Sequence, residues 1–235
     1  MSIAENLGRV RAQIETAARR AGRSPDEITL VAVSKTFPVE AILEAWRAGA
    51  REIGENRVEE ASEKIPAVNR QLPDGKIRWH LIGHLQRRKA RNAIALFDLV
   101  QSVDTLRLAE TMNRHAAAAG KQVPILLQVN IGNDPQKFGF VPEPRAAFLR
   151  EVEKITALPN LRVRGLMTIG PLVAAAEQAR PFFRALRLLR DELARQFPNA
   201  EWQELSMGMT DDYAVAIEEG ATIVRIGRAI FGQRG

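Results

Sequence analysis

The chain has 235 residues, 46% hydrophobic and 26% charged, the proportions of a globular protein that buries a core without cross-links. It has no cysteine, which excludes a disulfide scaffold, a thiolate metal site and a cysteine nucleophile. Its net charge of +6 comes from arginines spread along the whole chain, densest at Arg87, Arg88, Lys89 and Arg91, so a solvated basic surface is expected rather than a nucleic-acid partner. The opening MSIAENLGRVRAQIETAARR lacks the apolar run of a signal peptide. No stretch reaches the roughly 18 apolar residues of a membrane span, and a cytoplasmic protein is expected.

The first element is an amphipathic helix over Ile3–Ala21, with Ile3, Leu7, Val10 and Ile14 on one face and Gly22 as its stop. Eight β-like runs follow in chain order: Ile28–Ser34, Arg51–Gly54, Ile77–Gly83, Phe97–Val103, Val123–Asn130, Leu161–Ile169, Glu201–Ser206 and Ala221–Gly227. Helical segments separate them, most clearly Val39–Ala48, Thr105–Ala119, Pro142–Ala157 and Ala175–Phe197. Pro66–Lys76 reads as a loop. Strands alternating with helices imply parallel βαβ units. Eight such units point to a (β/α)8 TIM-type barrel with an extra N-terminal helix, the whole of 1–235 forming a single domain. A doubly wound open sheet is the alternative, but no GxGxxG follows the first strand.

In such a barrel the C-terminal ends of the strands build the site. The first strand ends in Ser34-Lys35. Val31, Val33 and Lys35 alternate on one face, so the amine emerges from an apolar wall if that face lines the barrel. A desolvated lysine is readily neutral and condenses with an aldehyde; the other reading is a surface lysine at a strand end. The last two strands end in LSMGM and VRIGRAIFG. Ser206, Gly227 and Arg228 there suit a phosphate, or form two ordinary βα turns. His80, His84 and His115 do not make a metal set. Asp211 and Asp212 fit the start of the helix after LSMGM.

Several longer segments carry a resemblance. They are LVAVSKTFP at 30–38, GENRVEE at 54–60, WHLIGHLQRRK at 79–89, QVNIGNDPQKFGF at 128–140, GLMTIGP at 165–171, and LSMGMTDDYAVAIEEGATIVRIGRAIFG at 205–232. In these the chain resembles the pyridoxal phosphate homeostasis proteins, whose fold is like the N-terminal barrel of alanine racemase: fold type III of the pyridoxal 5′-phosphate (PLP) proteins without the C-terminal β-domain. The resemblance implies a PLP cofactor held as a Schiff base on Lys35. It also implies Asn56 beside the cofactor ring, Met167 packed near it, Arg225 facing the pyridine nitrogen, and Ser206 with the Gly227-Arg228 turn on the phosphate. A cation at the pyridine nitrogen makes the cofactor a weaker electron sink. The chain departs from the family at Arg228, where threonine is common, at Thr210, where serine is common, and at Arg88, where asparagine is frequent. At position 228 either the guanidinium replaces the hydroxyl or only the backbone contributes.

Alanine racemase needs a tyrosine opposite its lysine, supplied by its second domain. This chain ends soon after the last barrel motif, and its one tyrosine, Tyr213, lies at a helix start. The resemblance therefore implies a non-enzymatic, monomeric PLP protein that stores, buffers or delivers the cofactor, with PLP-dependent apoenzymes as partners. A PLP-dependent amino-acid racemase and a cofactor-free Schiff-base aldolase are the alternatives.

Overall fold

The computed structural model describes residues 2–72, 76–171 and 173–233. Eight parallel strands follow one another round a closed barrel, each paired with its neighbour in sequence and the last with the first. They are β1 (Thr29–Val33), β2 (Glu52–Glu55), β3 (Arg78–Leu81), β4 (Leu99–Val103), β5 (Val123–Gln128), β6 (Leu161–Met167), β7 (Glu204–Ser206) and β8 (Ile223–Ile226). The helices are α1 (Ile3–Arg20), α2 (Val39–Arg47), α3 (Val58–Gln71), α4 (Ala90–Leu96), α5 (Leu106–Ala118), α6 (Arg145–Thr156), α7 (Arg180–Gln196), α8 (Tyr213–Glu218) and α9 (Arg228–Phe231). The fold is thus the expected (β/α)8 barrel.

Alternation along each strand divides the core in two. Val31, Leu99, Leu126, Met167 and Ile223 meet inside the barrel. Their sequence neighbours, such as Ala32 and Val224, pack outward against the helices. The helix α1 lies outside the ring of βα units and packs on α2, α8 and α9. Ser2 caps it, its hydroxyl accepting from Glu5 N at 3.2 Å while the Glu5 carboxylate accepts from Ser2 N at 2.7 Å. Gly22 ends it at a φ of +68°, as its position predicts.

Where the elements differ from the expectation, backbone chemistry explains it. The candidate loop 66–76 is helical as far as Gln71, because α3 continues through Pro66 with a buried stripe of Val58, Ala61, Ile65 and Val68; 73–75 lie outside the described residues. The strand expected over 201–206 begins only at Glu204, since Trp202 turns into the outer core and its Nε1 donates to Phe197 O at 2.9 Å. The helix expected from Pro142 begins at Arg145, behind Pro144. The long helix expected from Ala175 opens as a 3₁₀ turn over Ala176–Ala179. Asp212 does stand at the N-cap of α8, but its carboxylate accepts from Met209 N at 2.6 Å, closing the preceding loop rather than the helix.

Among the described residues no helix is long and apolar enough to cross a membrane. Nor is any group of three His, Asp or Glu arranged to hold a metal ion.

Candidate functional site

A cavity of about 590 Å³ opens at the C-terminal ends of the strands, within the size range of small-molecule sites. Lys35, Asn56, Arg225, Gly227 and Arg228 all line it. Val31 sits in the barrel interior and Val33 in the cavity wall; Lys35 lies beyond the end of β1, in the turn that follows, and lines the same cavity. Ser206 and Met167, completely buried, are not part of the lining. Met167 belongs to the apolar barrel interior, and Ser206 reaches the cavity through Arg225.

Lys35 occupies a tight turn that its neighbours clamp. Phe37 N donates to Ser34 O at 3.0 Å, and Thr36 adopts a φ of +69°. A threonine in that left-handed conformation costs about 1–2 kcal/mol, so something must hold it there. Three contacts do. The Glu60 carboxylate accepts from Thr36 N at 2.6 Å, Lys64 Nζ donates to Ser34 O at 2.9 Å, and Ser34 Oγ donates to Glu55 Oε1 at 2.6 Å. Lys64 also bridges Glu55 at 3.1 Å and Glu60 at 2.5 Å. Burial pushes the Glu55 carboxyl above its ordinary range, against the opposing pull of Ser34 and Lys64. Glu60, despite the opposing cost of its own burial, is held below that range by Lys64 and the Thr36 N–H. The spacing of Glu60 and Lys64 at i and i+4 is visible in the sequence; that both serve the Lys35 turn is not.

Asn56 is placed by a close approach. A Cβ on Gly83 would fall 2.3 Å from Asn56 O, so only glycine lets the β3–α4 loop lie against the backbone of Asn56.

Arg225 is the buried cation of the site. Its NH1 donates to Ser206 Oγ at 2.5 Å and its NH2 to Thr168 O at 2.7 Å. Burial pushes its guanidinium down to about 10, partly opposed by the Asp212 carboxylate, so it stays charged at neutral pH. Asp212 is itself raised by burial, against the Met209 N–H and the charge of Arg225. At the mouth, Arg228 NH2 donates to both oxygens of Asp211, at 2.9 and 2.6 Å. This pair links the β7–α8 loop to α9. Thr210 and Asp211 line the cavity, as do the apolar Phe37, Ile82, Ile169 and Met209, none of which the sequence patterning marks as site residues.

Two further groups fall beside the chemistry. Tyr213 is buried, burial raises its phenol pKa, and its hydroxyl donates to Gln13 on α1. It is not part of the cavity lining. His84 Nδ1 pairs with Asp104 at 2.9 Å, under Phe138 stacked on its ring at 3.7 Å.

Comparison with known proteins places this geometry. The model of the alanine racemase N-terminal domain matches residues 6–235. A pyridoxal phosphate homeostasis protein of Aquifex aeolicus (strain VF5) is 43% identical over 235 residues, covering 100% of this chain and 99% of that protein. PipY of Synechococcus elongatus PCC7942, solved with PLP bound, superposes with a TM-score of 0.85 at 39% identity over 98% of this chain and 100% of that one. Alanine racemase of Clostridium difficile 630 superposes with a TM-score of 0.73 at 16% identity, over 99% of this chain but 57% of that one, a likeness of fold alone.

Proposed function

Because the chain belongs to the family of pyridoxal phosphate homeostasis proteins, built on the alanine racemase N-terminal barrel, we propose that it binds PLP and acts in the homeostasis of that cofactor. The observation that carries the reading is that Lys35 and the buried Arg225 line one cavity of about 590 Å³. An amine for the aldehyde, a cation for the pyridine nitrogen and apolar walls for the ring are the parts PLP requires. When bound, the cofactor would supply an electrophilic aldehyde, and Lys35 would be the amine that holds it.

The chain's own residues do the rest. The clamp of Glu55, Glu60 and Lys64 holds the Lys35 turn, and Asn56 flanks the ring, while Met167 packs in the barrel interior outside the lining. The β7–α8 and β8–α9 loops take the phosphate, with Thr210 offering a hydroxyl and Gly227 the backbone. Ser206 serves them from behind by holding Arg225. Arg228 is engaged by Asp211, so its side chain shields the mouth.

A carrier is favoured over a racemase by Tyr213. A two-base racemase needs a second proton acceptor across the substrate, and this phenol is turned to Gln13 with its pKa raised. The whole chain then works as one monomeric cytoplasmic unit that delivers PLP to PLP-dependent apoenzymes. The test is an absorption spectrum of wild type beside Lys35→Ala. Wild type shows a visible Schiff-base band that borohydride abolishes, and the variant lacks it. A colourless wild type that takes up no added PLP overturns the reading.

A further inference from the structure

A continuous line of buried polar side chains runs down the barrel axis from the cavity to the opposite face. Arg225 NH1 donates to Ser206 Oγ at 2.5 Å, and Ser206 Oγ donates to Gln101 Oε1 at 2.6 Å. Gln101 Nε2 meets His80 Nδ1 at 2.8 Å, and His80 Nε2 meets Glu52 Oε2 at 2.5 Å. Five strands contribute one residue each: β8, β7, β4, β3 and β2. Ser206, Gln101 and His80 are completely buried, while the Glu52 side chain keeps 23% of its exposure at the base, 3.9 Å from Arg78.

For a singly protonated imidazole at His80, the two ends fix the direction of every hydrogen bond between them. A guanidinium only donates and a carboxylate only accepts. Each intermediate group therefore accepts on its cavity side and donates on its base side. Ser206 spends its proton on Gln101. Gln101 presents its NH2 to the imidazole, and His80 carries its proton on Nε2 and leaves Nδ1 bare. Reversing any one link leaves two donors or two acceptors facing each other in the interior, which is costly.

We infer that His80 is a positioning residue for the cofactor site: anchored on Glu52, it sets the orientation of Gln101, and through Ser206 the placement of the Arg225 guanidinium. The relay also turns the Ser206 hydroxyl proton away from the cavity, so Ser206 has no donor for a phosphate while the line is intact. The inference rests on the PLP reading only for its cofactor readout; the direction of the relay belongs to the protein alone.

The test has a part that needs no cofactor. Nitrogen-15 resonances of the His80 ring in the apoprotein should show a protonated Nε2 and a bare Nδ1. A ring protonated on Nδ1 overturns the proposal. The second part loads PLP into wild type, His80→Asn and His80→Phe. The asparagine keeps a carbonyl oxygen for the Gln101 NH2, whereas phenylalanine fills the space without an acceptor. His80→Phe should shift the bound-cofactor absorption band and release PLP about tenfold faster, and His80→Asn should restore most of both. A phenylalanine variant with the wild-type band and release rate overturns the proposal. So does an asparagine variant no better than phenylalanine, which would leave His80 a packing role only. Should His80→Phe fail to fold, the ring resonances of the wild type decide. A wild type that takes up no PLP defeats the reading of the site and leaves the resonance test standing.

Discussion

The turn at Lys35 concentrates unusual costs in few residues. Thr36 is left-handed, Glu55 is completely buried, and one ammonium, that of Lys64, serves two carboxylates and a backbone carbonyl. Removing one partner of such a buried pair strands the other, so Lys64→Met should cost about 3 kcal/mol in denaturant unfolding at neutral pH. The loss should depend on pH in a stated direction. The folded-state pKa of Glu55 already lies above its unfolded value and rises further without Lys64. Stability is then fullest below the ordinary carboxylate pKa and is lost as pH rises through the raised one. A penalty that is the same in acid and at neutral pH refutes this. At Gly83, alanine would push into Asn56 O. Gly83→Ala should weaken PLP retention at least tenfold with a smaller effect on melting, checked by equilibrium dialysis beside calorimetry.

Helices α7 and α8 are joined by charge rather than by an apolar seam alone. Arg180, Arg184 and Arg187 all reach the Glu219 carboxylate, and Arg180 also pairs with Glu177 and Glu218. The hydrogen bond from Arg184, ahead of the opposing cost of burial and the further bond from Arg180, holds Glu219 below its ordinary pKa. A depressed carboxylate stabilises above its unfolded pKa, and that contribution is lost as pH falls through the folded value. Glu219→Gln should therefore lower stability by about 2 kcal/mol at neutral pH and flatten the acid limb of a melting-temperature profile; parallel profiles for variant and wild type would count against it. At this scale the sequence was most legible where periodicity is simple. The alternation of Val31 and Val33 found the strand and its cavity face. The stripe of α3 was obscured by Pro66, and EWQELS looked more regular than it is because Trp202 leaves the strand. Of the interior relay, Ser206 and Arg225 were marked as site residues and His80 was weighed as a metal ligand, but the line joining them to Gln101 and Glu52 was not visible. Gln101 and Ser206 stand far apart in sequence, and only barrel closure makes them neighbours.

Considered whole, the molecule sets Lys35 in the cavity wall and keeps Tyr213 out of that lining, the arrangement on which the carrier proposal rests. Holoprotein incubated with L-alanine in D₂O should show no exchange of the α-proton at enzyme-like turnover; fast exchange would restore the racemase reading. The barrel joins its first strand to its last, with Val31 in register with Arg225 and Ala32 with Ile226. The site straddles that seam: Lys35 follows β1, while Arg225 and Gly227 come from β8 and the turn after it. On the ribosome, the lysine segment emerges first and waits through six intervening strands for its cation. On the proposed reading, cofactor capture should be a late event, a signal that the ring has shut rather than a template for shutting it. In refolding, the yellow colour should appear after the bulk of secondary structure returns, and a chain stopped before Ile223 should stay colourless however much helix it forms.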